Sequence, residues 1–221
     1  MMPRLLSLAF LFLSSAAVAE PFTVVELFTS KYCPSCPAVE SYLKEKAATD
    51  TSLLIVMENV DYWDRPPTQI DPHGNPDFTQ RQYDYSNLLA DRPGKVFTPQ
   101  PVINGLEVAE PPMFLNWTDA LKKGQAQPPA SITLSTTSTG GLIVSLPKGM
   151  KVDASHELYL LGMEQEEGHT LWRGKGVIAI SGQGDTLAVA KNQLPKGTHI
   201  LALLQLTGPG RVVAAGHIQR K

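Results

Sequence analysis

The sequence is poor in cysteine, with two among 221 residues, Cys33 and Cys36. Two thiols exclude a disulfide-dense mini-protein and any zinc site built from four thiolates. Charged residues make up 18% and aromatics 7%. A net charge of −2 lacks the basic excess of a nucleic-acid-binding face. No heptad pattern marks a coiled coil, and 18 prolines and 17 glycines argue against long uninterrupted helices. After residue 19 no apolar run is long enough to cross a bilayer. The five histidines, His73, His156, His169, His199 and His217, are scattered. Nothing in their spacing marks a metal site or an acid–base partner for Cys33. What remains, 43% hydrophobic residues, suffices for a sizeable core.

Residues 1–19 read as a secretory signal. Arg4 precedes an apolar run from Leu5 to Leu13, and Ala17-Val18-Ala19 is an A-x-A cleavage pattern. The run is shorter than the roughly 20 residues a membrane span needs, which disfavours an uncleaved anchor. The expected location is periplasmic or secreted, where glutathione does not hold thiols reduced.

The remainder divides by pattern into two parts. Over residues 20–125, Thr23–Phe28 and Leu53–Val60 read as strands. Ala38–Thr49, led by Pro37, reads as a helix, because proline is tolerated in a first turn. Asp77–Asp91 has Phe78, Gln82/Tyr85 and Leu88/Leu89 at helical spacing. Pro101–Asn104 and Leu106–Val108 form a hairpin about Asn104-Gly105, and Pro112–Lys123 a closing helix. Residues 126–130 read as a linker. Residues 131–221 hold seven short alternating segments between glycine-rich turns, the pattern of a small β-sandwich.

The chemistry concentrates in Cys33-Pro34-Ser35-Cys36, directly after a strand and at a helix start. Unpaired first-turn N–H groups and the helix dipole favour a negative sulfur there. Thiolates so placed reach pKa values of about 3.5–7.5. Cys33 is expected to be the exposed nucleophile, and Cys36, one turn on, the buried resolving thiol. Ser35 offers a hydroxyl donor, and Pro34 restricts the loop. Three other readings stay open: a structural disulfide, half of a zinc site, and inert buried thiols. A disulfide closing so short a loop contributes only about 2 kcal/mol, against about 4.7 for a hundred-residue loop.

The segment V-V-E-L-F-T-S-K-Y-C-P-S-C-P resembles the strand-to-helix turn of the thioredoxin superfamily, and Thr98-Pro99 with Asn104-Gly105 resembles the T-P-x-x-x-x-N-G segment of its periplasmic members. More closely, E-L-F-T-S-x-x-C-x-x-C-P, Asp61-Tyr62-Trp63-Asp64, Phe78-Thr79-x-Arg81-Gln82-x-x-Tyr85, T-P-Q and N-G are similar to a family of exported bacterial proteins of unknown function. That resemblance implies a thioredoxin-like domain over 20–125 and a β-rich C-terminal part. It also implies a cis Thr98–Pro99 bond facing the dithiol. Thioredoxin relatives place a buried acid near Glu26, one residue off, where it relays a proton to the resolving thiol. Tyr32, Asp61, Tyr62 and Trp63 are candidates for a substrate groove, and Lys31 for favouring the thiolate. Residues 64–77 form a proline-rich loop, with Arg81 and Gln82 expected to cap or anchor it.

The expected class is therefore α/β: a thioredoxin-like domain followed by an all-β sandwich-like domain at 131–221. The expected activity is thiol–disulfide exchange with protein or small-thiol substrates and a redox partner. No cofactor beyond the Cys33–Cys36 dithiol is called for, nor nucleic acid or stable membrane insertion. The alternatives are a binding module without redox turnover and a copper(I) metallochaperone.

Overall fold

A computed structural model describes residues 21–89, 94–108, 114–165, 171–208 and 210–220. The expected signal segment, Asp91 and His169 lie outside them. The elements run β1 (Thr23–Thr29), α1 (Cys36–Thr49), β2 (Leu53–Asn59), α2 (Pro76–Leu89), β3 (Gln100–Ile103), β4 (Glu107–Val108), α3 (Phe114–Ala126), β5 (Ala130–Ser131), β6 (Thr133–Thr136), β7 (Leu142–Ser145), β8 (His156–Gln165), β9 (Trp172–Ile180), β10 (Thr186–Val189), β11 (His199–Leu206) and β12 (Val212–Gln219). No helix among the described residues is long and apolar enough to cross a membrane.

The segments fall close to their expected places, and β3 and β4 pair antiparallel as the expected hairpin; the expected separation into two parts does not hold. Both halves of the chain build one nine-stranded mixed sheet, ordered β4-β3-β1-β2-β9-β8-β11-β12-β5, with β10-β7-β6 as a separate three-stranded sheet. The seam is β2 against β9, parallel, with Val56 opposite Trp172 and Met57 opposite Arg173. This corrects the expected α/β class of a thioredoxin-like domain followed by a separate sandwich. Twelve strands and three α-helices among the described residues make a predominantly β protein whose largest sheet spans both parts. The physical reason is that β2 offers an open edge, and β9 satisfies its backbone groups.

Because side chains alternate across a strand, each central strand serves two layers. Val25 and Leu27 of β1 and Ile55 and Met57 of β2 pack on Val39 and Leu43 of α1 and on Trp117 and Leu121 of α3. The opposite face carries Val24, Leu54 and Val56, in one cluster with Leu161, Met163, Leu201 and Leu203. Leu158, Leu160, Ile200 and Ala202 face the three-stranded sheet through Leu142, Val144 and Leu187. Burial on both faces explains why these strands read as nearly continuous apolar runs.

The large sheet rolls on itself. Strands β1 and β11 stand four places apart, about 19 Å across a flat sheet at roughly 4.8 Å per strand. Yet the Tyr85 hydroxyl of α2 hydrogen-bonds both Glu26 of β1, at 2.6 Å, and Gln205 of β11, at 2.9 Å. The roll also brings Val212, opening β12, against the turn after β3: its N–H donates to the Asn104 carbonyl at 2.9 Å. Asn104 returns into β1 by accepting the Val24 N–H at 2.9 Å and donating to the Gly124 carbonyl at 3.0 Å.

Gly105 sits in this closure with φ of 68°, and a Cβ there would run into the Gly210 carbonyl. Gly149 has φ of 85° but nothing within 4 Å of such a Cβ. Gly149→Ala should therefore cost only the left-handed penalty, about 1–2 kcal/mol. Gly105→Ala adds a steric clash of about 1–3 kcal/mol. Urea denaturation of the two variants measures the difference; equal losses would contradict the closure.

Candidate functional site: a buried disulfide at a helix start

Strand β1 ends at Thr29, and the chain turns immediately. The Cys33 N–H donates to the Ser30 carbonyl at 3.1 Å, and the Cys36 N–H to the Cys33 carbonyl at 3.3 Å. Ser35 occupies the N-cap position of α1, and Pro37 stands in its first turn. Cys33 and Cys36 are joined in a disulfide, with Cα atoms 5.4 Å apart. The Ser35 hydroxyl lies 3.6 Å from Cys33 Sγ. The expected split between an exposed Cys33 and a buried Cys36 is corrected. Cys33 is 2% exposed and Cys36 fully buried, although Pro34 and Ser35 between them are exposed.

The proline-rich loop explains what holds the segment before Cys33. Asp71, itself buried, accepts the Lys31 N–H at 2.7 Å and the Asn59 side-chain amide at 2.9 Å on one oxygen. Its other oxygen accepts the His73 N–H at 2.9 Å. Burial alone would raise the Asp71 carboxyl, but the donors Lys31, Asn59 and His73 together hold it below its ordinary 3.8. The Tyr32 hydroxyl donates to the Ile70 carbonyl at 3.2 Å. Lys31 is exposed, with its ammonium 5.7 Å from the Tyr32 ring centre.

The other expected groove residues have structural ties. Asp61 exchanges hydrogen bonds with Thr79 of α2, through its N–H at 3.0 Å and its carboxylate at 2.6 Å. The Trp63 indole N–H donates to the Thr98 hydroxyl at 2.8 Å, and Tyr62 is exposed. The Thr98–Pro99 bond is cis and Pro99 is buried. Gln100 pairs with Phe28, so continuing that register sets Pro99 at the end of β1 from which the cysteine turn departs. Gln82 anchors this segment, donating to the Phe97 carbonyl at 2.7 Å and to the Gln100 side chain at 2.6 Å.

Glu26 is committed away from the dithiol. Thr29, which bonds Glu40 of α1, faces α1; Glu26, three residues earlier, faces the opposite side. Arg81 donates to it at 2.5 Å, and also to Gln205 at 2.7 Å and Tyr85 at 2.9 Å. Tyr85 and Tyr159 flank the guanidinium, at 4.9 and 4.7 Å to their ring centres. Burial alone would lower Arg81, but the Glu26 carboxylate beside it, foremost among its partners, holds its pKa above the ordinary value. Burial raises the Tyr85 hydroxyl. Glu58 of β2 is fully buried beside Glu26. Burial first, then repulsion from Glu26, pushes its carboxyl well above 4.5, with Arg81 offsetting part.

Asp71, Glu58 and Gln205 were not anticipated as site residues. Asp71 sits in D-P-H-G, which reads as a turn. Glu58 is a lone acid in the apolar run LLIVMEN, and that anomaly was its available signal.

The family described as protein of unknown function, DUF1223, matches residues 24–176. The chain belongs to the DUF1223 family. The DUF1223 match begins in β1 and ends inside β9, so it crosses the expected division at 126–130 and includes the seam of the sheet. No curated protein matches the chain. A crystal structure of an Agrobacterium tumefaciens protein, a structural-genomics target, is similar over 91% of this chain and 96% of its own. Identity is 21% and the TM-score 0.65, a likeness of fold.

Two predictions follow from the buried carboxylates. The folded state keeps Glu58 protonated while the unfolded chain releases that proton above about pH 4.5, so its contribution favours unfolding as pH rises. The slope is at most about 1.4 kcal/mol per pH unit. Glu58→Gln should therefore gain stability over the parent at pH 8 and little at pH 4, read by denaturation at both; a pH-independent difference would contradict a buried neutral acid. Arg81→Met strands the Glu26 charge and should cost about 3–5 kcal/mol. Adding Glu26→Gln should recover part of that loss, whereas purely additive losses would place the pair outside one network.

Proposed function

We propose that this protein is an exported thiol–disulfide oxidoreductase working through Cys33 and Cys36. One observation carries the reading. The two cysteines are joined to each other at the first turn of α1, with the Ser35 hydroxyl 3.6 Å from the Cys33 sulfur. Unpaired helix N–H groups favour a thiolate at this position, and a hydroxyl beside Cys33 adds a donor to it. As a staple, the bond contributes only about 2 kcal/mol. The signal-like first residues would deliver the protein to a compartment where such a bond persists.

The exchange balances without a cofactor. A substrate thiolate attacks Cys33 Sγ, and the Cys33–Cys36 bond breaks with its electron pair on Cys36, which takes up a proton. A second substrate thiol then attacks the substrate sulfur of the mixed disulfide and releases Cys33. The substrate is oxidised by two electrons and the protein reduced by two; the reverse sequence reduces a substrate disulfide. Protein or small-thiol substrates satisfy this chemistry, and a redox partner restores the starting form.

The burial of both sulfurs favours a second reading, a structural staple in a binding module. Cys36→Ala separates the two. Under exchange it leaves a Cys33 thiol titrating below the free value of about 8.5 and captures substrates as mixed disulfides on non-reducing gels in the exported compartment. The parent protein should also accelerate insulin reduction by dithiothreitol. A Cys33 titrating at or above about 8.5, no captured adducts and no insulin reduction would leave the staple.

A further inference from the structure

Cys33 is closed although the two residues after it are exposed, so its cover includes groups from outside the Pro34-Ser35 turn. The residues before it are tied to one distant segment. Lys31 donates its N–H to Asp71 at 2.7 Å, the Ser30 hydroxyl lies 3.5 Å from the same carboxylate oxygen, and the Tyr32 hydroxyl reaches the Ile70 carbonyl at 3.2 Å. Three consecutive residues leading into Cys33 thus bond residues 70 and 71.

That segment is itself braced. The Asp71 N–H donates to Asp64 at 2.9 Å, and the Asn59 amide at the end of β2 holds Asp71 from below at 2.9 Å. The Gly74 N–H closes a turn on the Asp71 carbonyl at 3.0 Å, and Arg65 and Gln69 pair their backbones at 2.7 and 3.1 Å. Asp71 is where the loop's internal bonds and its bonds to the cysteine turn meet. Ile70 beside it is 52% exposed, an apolar side chain left in solvent while its backbone is spent on Tyr32.

We propose that Asp71 latches residues 64–74 over the dithiol, and that release of this latch sets which thiols reach Cys33. The proposal rests on the exchange reading and deepens it. Asp71 is a positioning residue: it touches no sulfur and acts through Lys31 and the loop. With the latch shut, a small reductant meets a partly guarded sulfur. A polypeptide thiol needs the loop lifted before it can align with the Cys33–Cys36 bond. The latch is therefore a size filter.

The test uses the full mature chain with its disulfide intact. A small phosphine cleaves the bond without exchange chemistry: phosphorus takes one sulfur, water supplies oxygen, and a phosphine oxide and two thiols result. Rates are measured with this phosphine and with a reduced twenty-residue peptide carrying two cysteines. Asp71→Asn keeps shape but removes the charge that holds Lys31, and Tyr32→Phe removes only the hydroxyl on Ile70. Asp50→Asn weakens a carboxylate turn anchor at the other end of α1, where Asp50 holds Ser52 at 2.6 Å, and controls for general loosening.

The expected result is at least a tenfold faster phosphine reaction for Asp71→Asn, a smaller gain for Tyr32→Phe and no gain for Asp50→Asn. The gain should be larger with the peptide than with the phosphine. Tyr32→Phe carries the test if Asp71→Asn does not fold. Parent-like phosphine rates in both folded latch variants, or equal acceleration in Asp50→Asn, would overturn the latch. Faster phosphine cleavage without peptide exchange in any variant would keep the latch and sink the exchange reading instead.

Discussion

One buried cation touches opposite walls of the large sheet. Arg81 reaches Glu26 on β1 and Gln205 on β11, strands that a flat sheet would hold far apart. A buried guanidinium is costly unless its charge is matched and its N–H groups are bonded. Glu26, Tyr85 and Gln205 meet most of that demand together. Such a network contributes specificity as well as energy, because it is satisfied only when the sheet has rolled.

Strand direction sets which segments meet at the cysteine end of the sheet. Strands β1 and β2 are parallel, so the cysteine turn and the proline-rich loop leave the same end of the sheet. Strand β3 is antiparallel to β1, so Thr98–Pro99 enters at that end too. The dithiol, the Asp71 loop and the cis-proline segment are neighbours by topology before any side chain is considered. Helix α1 leaves from this end with Cys36 as its first residue, giving one sulfur the helix start and the other the Ser35 hydroxyl.

The local pattern was legible. β-branched and apolar runs marked β1 and β2, Pro37 marked the start of α1, and alternation between glycine turns marked the strands after residue 131. The cysteine spacing singled out the pair that the structure joins in a disulfide. The pairing of β9 with β2 was not legible, because nothing in Val56 or Trp172 names a partner more than a hundred residues away. The α/β expectation failed there: each part was judged as though its edges were its own. The role of Glu26 depends on strand face, and the one-residue offset sends it to Arg81 rather than toward α1. Asp71 was hidden among turn formers, since a carboxylate capping a distant N–H has the same local sequence as one capping its own loop.

The same bond can be a staple or a working dithiol, and the two differ in how readily electrons move through it. In a working dithiol, helix N–H groups and a hydroxyl beside the sulfur would stabilise the reduced, thiolate form and so raise the reduction potential. A structural bond lacks that bias and lies below about −300 mV. The deciding measurement is the potential of the Cys33–Cys36 couple in the folded protein, from equilibration with graded glutathione buffers and alkylation mass shift. The account predicts a value between about −270 and −120 mV. A value below about −300 mV would contradict it.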